Sequence, residues 1–196
     1  MTIEDIKRLK DLTGVGLTDA KAALNEADGD FDKALEAMRK KGLTKADKRG
    51  EREARAGIIG SYVHDNRIGV LVEVNCETDF VARNDQFTDL VKDLCLHIAA
   101  SNPEYVSTEE VPSEDREKVA AEFKEKVVAE GKPADKADMI VEGMLKKHFS
   151  ERCLLDQPFV KNPDQTVGDV VKVANARLGE NVVVRRFSRL QLGEVV

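Results

Sequence analysis

At 196 residues the chain exceeds the usual size of one domain, so its length favours a small module joined to a larger one. Charged residues make up 35% and aromatics 5%, with no Trp, a composition of long solvated helices around modest aliphatic cores. The net charge of −6 argues against general nucleic-acid binding, and no apolar run approaches the ~20 residues of a membrane span or forms an export signal behind the opening Met-Thr-Ile-Glu-Asp.

Residues 1–42 read as three short helices. Thr2 and Asp5 form an N-terminal capping pair for the first, which carries Ile3, Ile6 and Leu9 as its apolar stripe. The break at Thr13-Gly14-Val15-Gly16 precedes a second helix, capped by Thr18 and carrying Ala20 and Leu24. Asp28-Gly29-Asp30 introduces a third with Phe31, Ala34, Leu35 and Met38, and Gly42 is a stop signal. A bundle of ~40 residues lies near the lower limit for independent folding, so marginal stability is expected.

Residues 39–55 then carry eight Lys or Arg against three acids, and 43–56 read as a basic linker helix ending near Gly57. A solvated linker is the plainer reading of that stretch and a phosphate-contacting surface the sharper one; no direct nucleic-acid binding is expected.

Beyond Gly57 the period changes. Ile58 to His64 and Ile68 to Cys76 are β-branched and aliphatic runs joined by the polar turn Asp65-Asn66-Arg67, which predicts a hairpin. Helical spacing follows in Phe87, Leu90, Val91, Leu94 and Ile98, in Val119, Ala120, Phe123 and Val127, and in Ala137, Ile140, Val141, Met144 and Leu145. After a break at Gln157-Pro158, a last helix carries Val167, Val170, Val171, Ala174 and Leu178, and Asn181 to Leu190 returns to a strand. The fold class is therefore α+β, with the last strand expected beside the hairpin in a three-stranded antiparallel sheet packed with helices.

Signs of catalysis are missing. His64, His97 and His148 lack metal-ligand spacing, and each reads as a surface or structural residue; no metal site and no cofactor are expected. Cys76, Cys95 and Cys153 are widely separated, as reduced thiols of a cytoplasmic protein would be. Neither nucleotide-binding glycine loop occurs, and Cys76 as a nucleophile would need a basic neighbour that the spacing does not reveal. One segment breaks the logic of its surroundings: Asn75-Cys76-Glu77-Thr78-Asp79-Phe80-Val81-Ala82-Arg83-Asn84 joins a strand to a helix and sets a Phe beside an Asp. Taken alone, its plainer reading is a core Phe beside a helix cap, and a functional corner is the sharper one.

Asn75 to Ala82 resembles the signature of the elongation factor Ts family, the exchange factors of elongation factor Tu. Leu9-Lys10-Asp11-Leu12-Thr13-Gly14-Val15-Gly16-Leu17-Thr18-Asp19-Ala20-Lys21 resembles that family's first motif, carried on a three-helix domain similar to ubiquitin-associated (UBA) domains. Gly60-Ser61-Tyr62-Val63-His64, His97-Ile98-Ala99-Ala100, Gly131-Lys132-Pro133, Ile140-Val141-Glu142-Gly143, Gln157-Pro158-Phe159-Val160 and Thr166-Val167-Gly168 continue the likeness in the family's order.

The resemblance implies a cytoplasmic, non-enzymatic guanine nucleotide exchange factor for protein biosynthesis, which binds elongation factor Tu in its GDP-bound and nucleotide-free forms. Thr78, Asp79, Phe80 and Val81 match the element that intrudes near the magnesium and phosphate site of that GTPase. Lys7, Lys10, Leu17 and Thr18 match positions that grip the GTPase from the N-terminal domain, although the family commonly has Arg at Lys10 and Met-Met at Leu17-Thr18. By the same resemblance 1–42 is the UBA-like domain and 57–196 the core that binds the GTPase and dimerises. With a single core copy and a sheet edge free to pair, a homodimer is expected. The competing readings are a ubiquitin-associated adapter, resting on 1–42, and an RNA-binding protein, resting on 39–55.

Overall fold

The computed structural model describes residues 2–13, 16–38, 50–132 and 134–194. Helices α1 (Ile3–Thr13), α2 (Leu17–Glu26) and α3 (over 31–38) form the N-terminal bundle. The Thr2–Asp5 capping pair is present: Asp5 N donates to Thr2 Oγ1 at 3.1 Å and Thr2 N to Asp5 Oδ2 at 2.8 Å. Ile6, Leu9, Ala20, Ala23, Leu24, Ala34 and Met38 close its small core.

Two expectations for the bundle need correction. Ile3 is exposed rather than part of the apolar stripe: it opens α1, and the bundle's buried cluster takes in Ile6 and Leu9 but not Ile3. Thr18 is not a cap: Gly16 takes that position in extended backbone and accepts Ala20 N at 3.0 Å, which leaves Thr18 exposed inside the first turn. The third helix starts as expected, with Asp30 Oδ1 accepting Lys33 N at 3.1 Å. The expected stop at Gly42 lies outside the described residues.

The basic linker helix expected over 43–56 lies outside the described residues as far as 49, and 50–55 is turn and irregular chain. Asn181 Nδ2 captures the carbonyls of Gly50 and Arg52 at 3.2 and 2.7 Å, groups that a helix would use for its own amides. Gly57 then crosses β2 so closely, with φ +143°, that a Cβ there would lie 2.2 Å from Val74 O.

Strands β1 (Ala56–His64) and β2 (Ile68–Cys76) form the predicted hairpin. Asp65 and Asn66 turn the corner with φ of 48° and 56°, a left-handed conformation that these short polar residues tolerate. The chain continues through a single turn of helix, α4 (Asp79–Ala82), and the long α5 (Asp85–Ser101). Helices α6 (Ser113–Ala129) and α7 (Ala134–Ser150) pack against each other. A small pair, β3 (Pro158–Phe159) with β4 (Asn162–Thr166), was not legible in the sequence; α8 (Val167–Leu178) and β5 (Val183–Gln191) complete the chain.

β5 joins the hairpin as expected, giving the antiparallel order β1-β2-β5 with β2 in the centre. Val70, Val72 and Val74 point to one face of β2, where Phe87, Val91, Leu94 and Ile98 of α5 cover them. Gly60 makes that approach possible, since a Cβ there would sit 2.4 Å from Val91 Cγ1 and 2.9 Å from Cys95 Sγ. Among the described residues no helix is long and apolar enough to cross a membrane.

Candidate functional site

The corner between β2 and α5 is built from two helix caps six residues apart. Thr78, with φ −131° and ψ 152°, caps α4 by accepting Val81 N at 3.4 Å. Asn84, with φ −73° and ψ 138°, caps α5 by accepting Gln86 N at 2.8 Å. Between them only Val81 and Ala82 turn into the core, while Thr78, Asp79 and Phe80 face solvent.

Phe80 is 84% exposed, the most exposed of the large apolar side chains among the described residues. That decides between the two readings of this Phe: it is no core residue. Three of the four residues expected at the intruding element are thus presented together, and Val81 is their root in the core.

Polar contacts from distant parts of the chain hold the corner. Glu180 Oε2 accepts Glu77 N and Thr78 N, each at 3.1 Å, and Glu180 Oε1 accepts the Thr78 hydroxyl at 2.6 Å. In return Glu77 Oε1 accepts Asn181 N at 2.7 Å and lies 3.5 Å from the Arg52 guanidinium. Sequence reasoning missed Glu180 and Asn181 as parts of this site and held Glu77 only as a member of the segment, without a role. The only local signal is that Glu180 and Asn181 follow Gly179, whose φ of 76° ends α8.

Cys76 is buried at the end of β2 and donates its thiol to Thr78 O at 3.2 Å. Burial first, and the Glu180 charge second, push this thiol above its ordinary pKa, so it stays protonated and gives no thiolate nucleophile. His97 is also buried and structural. Its Nδ1 accepts Val160 N at 3.2 Å, so Nε2 carries the proton and donates to Gln157 Oε1 at 2.9 Å. Burial lowers the pKa of the ring, which favours this neutral form. No group of His, Cys, Asp and Glu suited to a metal occurs among the described residues.

The N-terminal candidates are all at the surface. Lys7 and Lys10 are exposed at i and i+3 on α1, and Leu17, 52% exposed, and Thr18 open α2.

The family model for Elongation factor TS matches residues 45–194. An Elongation factor Ts from Caldanaerobacter subterraneus subsp. tengcongensis is 47% identical over 195 residues, which cover 99% of this chain and 98% of that protein. That of Thermodesulfovibrio yellowstonii is 47% identical, covering 99% of this chain and 97% of its own length. That of Carboxydothermus hydrogenoformans is 49% identical, covering 99% and 90%. With a family match over most of its length and relatives of this similarity along nearly all of it, the chain belongs to the elongation factor Ts family.

Proposed function

We propose that this chain is a non-enzymatic guanine nucleotide exchange factor that binds elongation factor Tu in its GDP-bound and nucleotide-free forms and promotes GDP release. The observation that carries the reading is Phe80, an aromatic ring 84% exposed on a corner fixed by caps, by a buried Val81 and by the Glu180 carboxylate. An isolated exposed apolar residue is ordinary. One held rigidly beside an acid pays little conformational entropy on insertion into a partner, and so suits a wedge.

Magnesium requires near-ideal octahedral geometry and bridges nucleotide phosphates to a GTPase, so a small displacement of its supporting groups weakens nucleotide binding steeply. Phe80 pushes between elements of the GTPase, and Asp79 and Thr78 anchor the intrusion. Linkage makes the effect reciprocal: GDP and this protein each weaken the other's binding by the same factor, and excess GTP completes the exchange. Release of fluorescent GDP from elongation factor Tu, followed by stopped flow at rising concentrations of this protein, tests the reading. Acceleration is expected, and an unchanged release rate would end it.

Burying one Phe contributes about 1.5–3 kcal/mol, whereas a thousandfold loss of GDP affinity needs roughly 4 kcal/mol. The rest is assigned to the N-terminal bundle, a UBA-like grip in which Lys7, Lys10, Leu17 and Thr18 meet the GTPase while the core beyond Gly57 carries the wedge. Leu17→Asp is expected to weaken the complex about tenfold, because it places a charge where the apolar contact forms. Calorimetry giving the wild-type affinity would remove Leu17 from the interface.

The same core is proposed to pair two copies of the chain. Support comes from the outer face of the sheet, where Ile59, Val63, Leu71 and Leu190 are exposed and Val63 and Leu190 flank the bare Gly69 between them. Light scattering is expected to give a dimer for the wild type and a monomer for Leu71→Asp; a monomeric wild type would discard the pairing. A cytoplasmic location, no cofactor of its own and no nucleic-acid ligand complete the proposal.

A further inference from the structure

We infer that Glu180 is a positioning residue for nucleotide release: from the turn between α8 and β5 it holds the Thr78 corner so that Asp79 and Phe80 are presented in one orientation. The inference rests on the exchange function proposed above.

Helix α4 is four residues long, and a single turn of helix does not sustain itself in water. Something outside it must hold the turn that carries Phe80. Thr78 has one hydroxyl proton, and donating it to Glu180 Oε1 at 2.6 Å leaves the oxygen's lone pairs for Val81 N, 3.4 Å away. Glu180 therefore orients the very group that caps α4. Its other oxygen takes the amides of Glu77 and Thr78, both at 3.1 Å, at the point where β2 ends and the corner begins.

All three bonds are charge-assisted, and they join segments 102 to 103 residues apart in sequence. The neighbouring exchange, Asn181 N to Glu77 Oε1 at 2.7 Å, fixes the other side of the junction. Asn181 also holds the carbonyls of Gly50 and Arg52, so the chain arriving from the N-terminal bundle ends on the same knot. Glu180 bonds the backbone and hydroxyl of Thr78, two residues before Phe80, and so acts on the ring through Thr78.

The test is a double-mutant cycle on GDP release from elongation factor Tu, using the full chain as wild type, Glu180→Ala, Phe80→Ala and the double variant. Glu180→Ala is expected to lower the maximal release rate about tenfold with little change in the half-saturating concentration. In the Phe80→Ala background the same substitution is expected to cost little, because no ring remains to position. Glu180→Gln, which keeps one acceptor oxygen, is expected to fall between wild type and Glu180→Ala.

Equal losses in both backgrounds would overturn the inference, since they mean a direct partner contact or a general loss of fold. Wild-type release by Glu180→Ala would overturn it too, while leaving the exchange function standing. If the wild type itself fails to accelerate release, the exchange function falls instead. Amide hydrogen exchange of the free protein reads positioning separately: faster exchange confined to 77–82 in Glu180→Ala supports it, and unchanged protection there refutes it.

Discussion

Replacing Phe80 with Ala is expected to cut the acceleration of GDP release from elongation factor Tu by roughly tenfold to a hundredfold, while the protein's own melting temperature stays where it was. Both halves follow from one number, the 84% exposure of the ring. A side chain that buries almost nothing in the free protein has almost nothing to lose there on truncation. Its apolar area is instead available to the complex, where burying it contributes about 1.5–3 kcal/mol. Expressed as a rate, about 1.4 kcal/mol is tenfold. Stopped-flow release and a thermal melt of the same preparation check the two halves together. A variant that releases GDP as fast as wild type would shift the exchange activity onto other contacts, and a large drop in melting temperature would show that the ring supports the fold after all.

Phe87→Ala is expected to do the reverse, lowering stability by about 3–5 kcal/mol. Phe87 stands seven residues after Phe80 in the first turn of α5, fully buried against the sheet among Val72, Val91 and Leu94. Truncation loses its transfer free energy and leaves a cavity that the helix and the sheet cannot both close, since Gly60 already brings them to contact. Domains of this kind are stable by only about 5–15 kcal/mol, so a loss of that size is a large share of the total. Urea unfolding measures it. A change under about 1 kcal/mol would mean that α5 relaxes onto the sheet far more readily than the packing implies.

The two Phe residues also mark the limit of local reading. The spacing of Phe87 with Leu90, Val91 and Leu94 places it on the buried stripe of a long helix, and there periodicity was sufficient. Phe80 belongs to one turn of helix between two caps, too short to show a period, so composition favoured a core residue where the structure exposes the ring. Similar reasons explain the other differences. Thr18 was a reasonable cap by residue type, but the extended backbone at Gly16 starts α2 two residues earlier. The basic stretch had a helical composition, yet within 50–55 the carbonyls of Gly50 and Arg52 are taken by Asn181, more than a hundred positions away.

Residue pattern was enough for the α+β class, the hairpin with its polar turn, the cap at Thr2 and the long amphipathic helices, and it singled out the segment from Asn75 to Asn84. These are local properties: side-chain period, backbone preference and capping act within a few residues, and a few residues display them. Only long-range packing turns Phe80 to solvent with Val81 as its anchor, leaves Ile59, Val63, Leu71 and Leu190 exposed on a sheet face that also carries the Glu73–Arg186 ion pair, and brings Glu180 to the corner. Each of these depends on which distant segment arrives to cover or to bond a group. Glu77 and Thr78 meet Glu180 and Asn181 only because β5 folds back against β2, and that encounter carries no period or spacing in the chain.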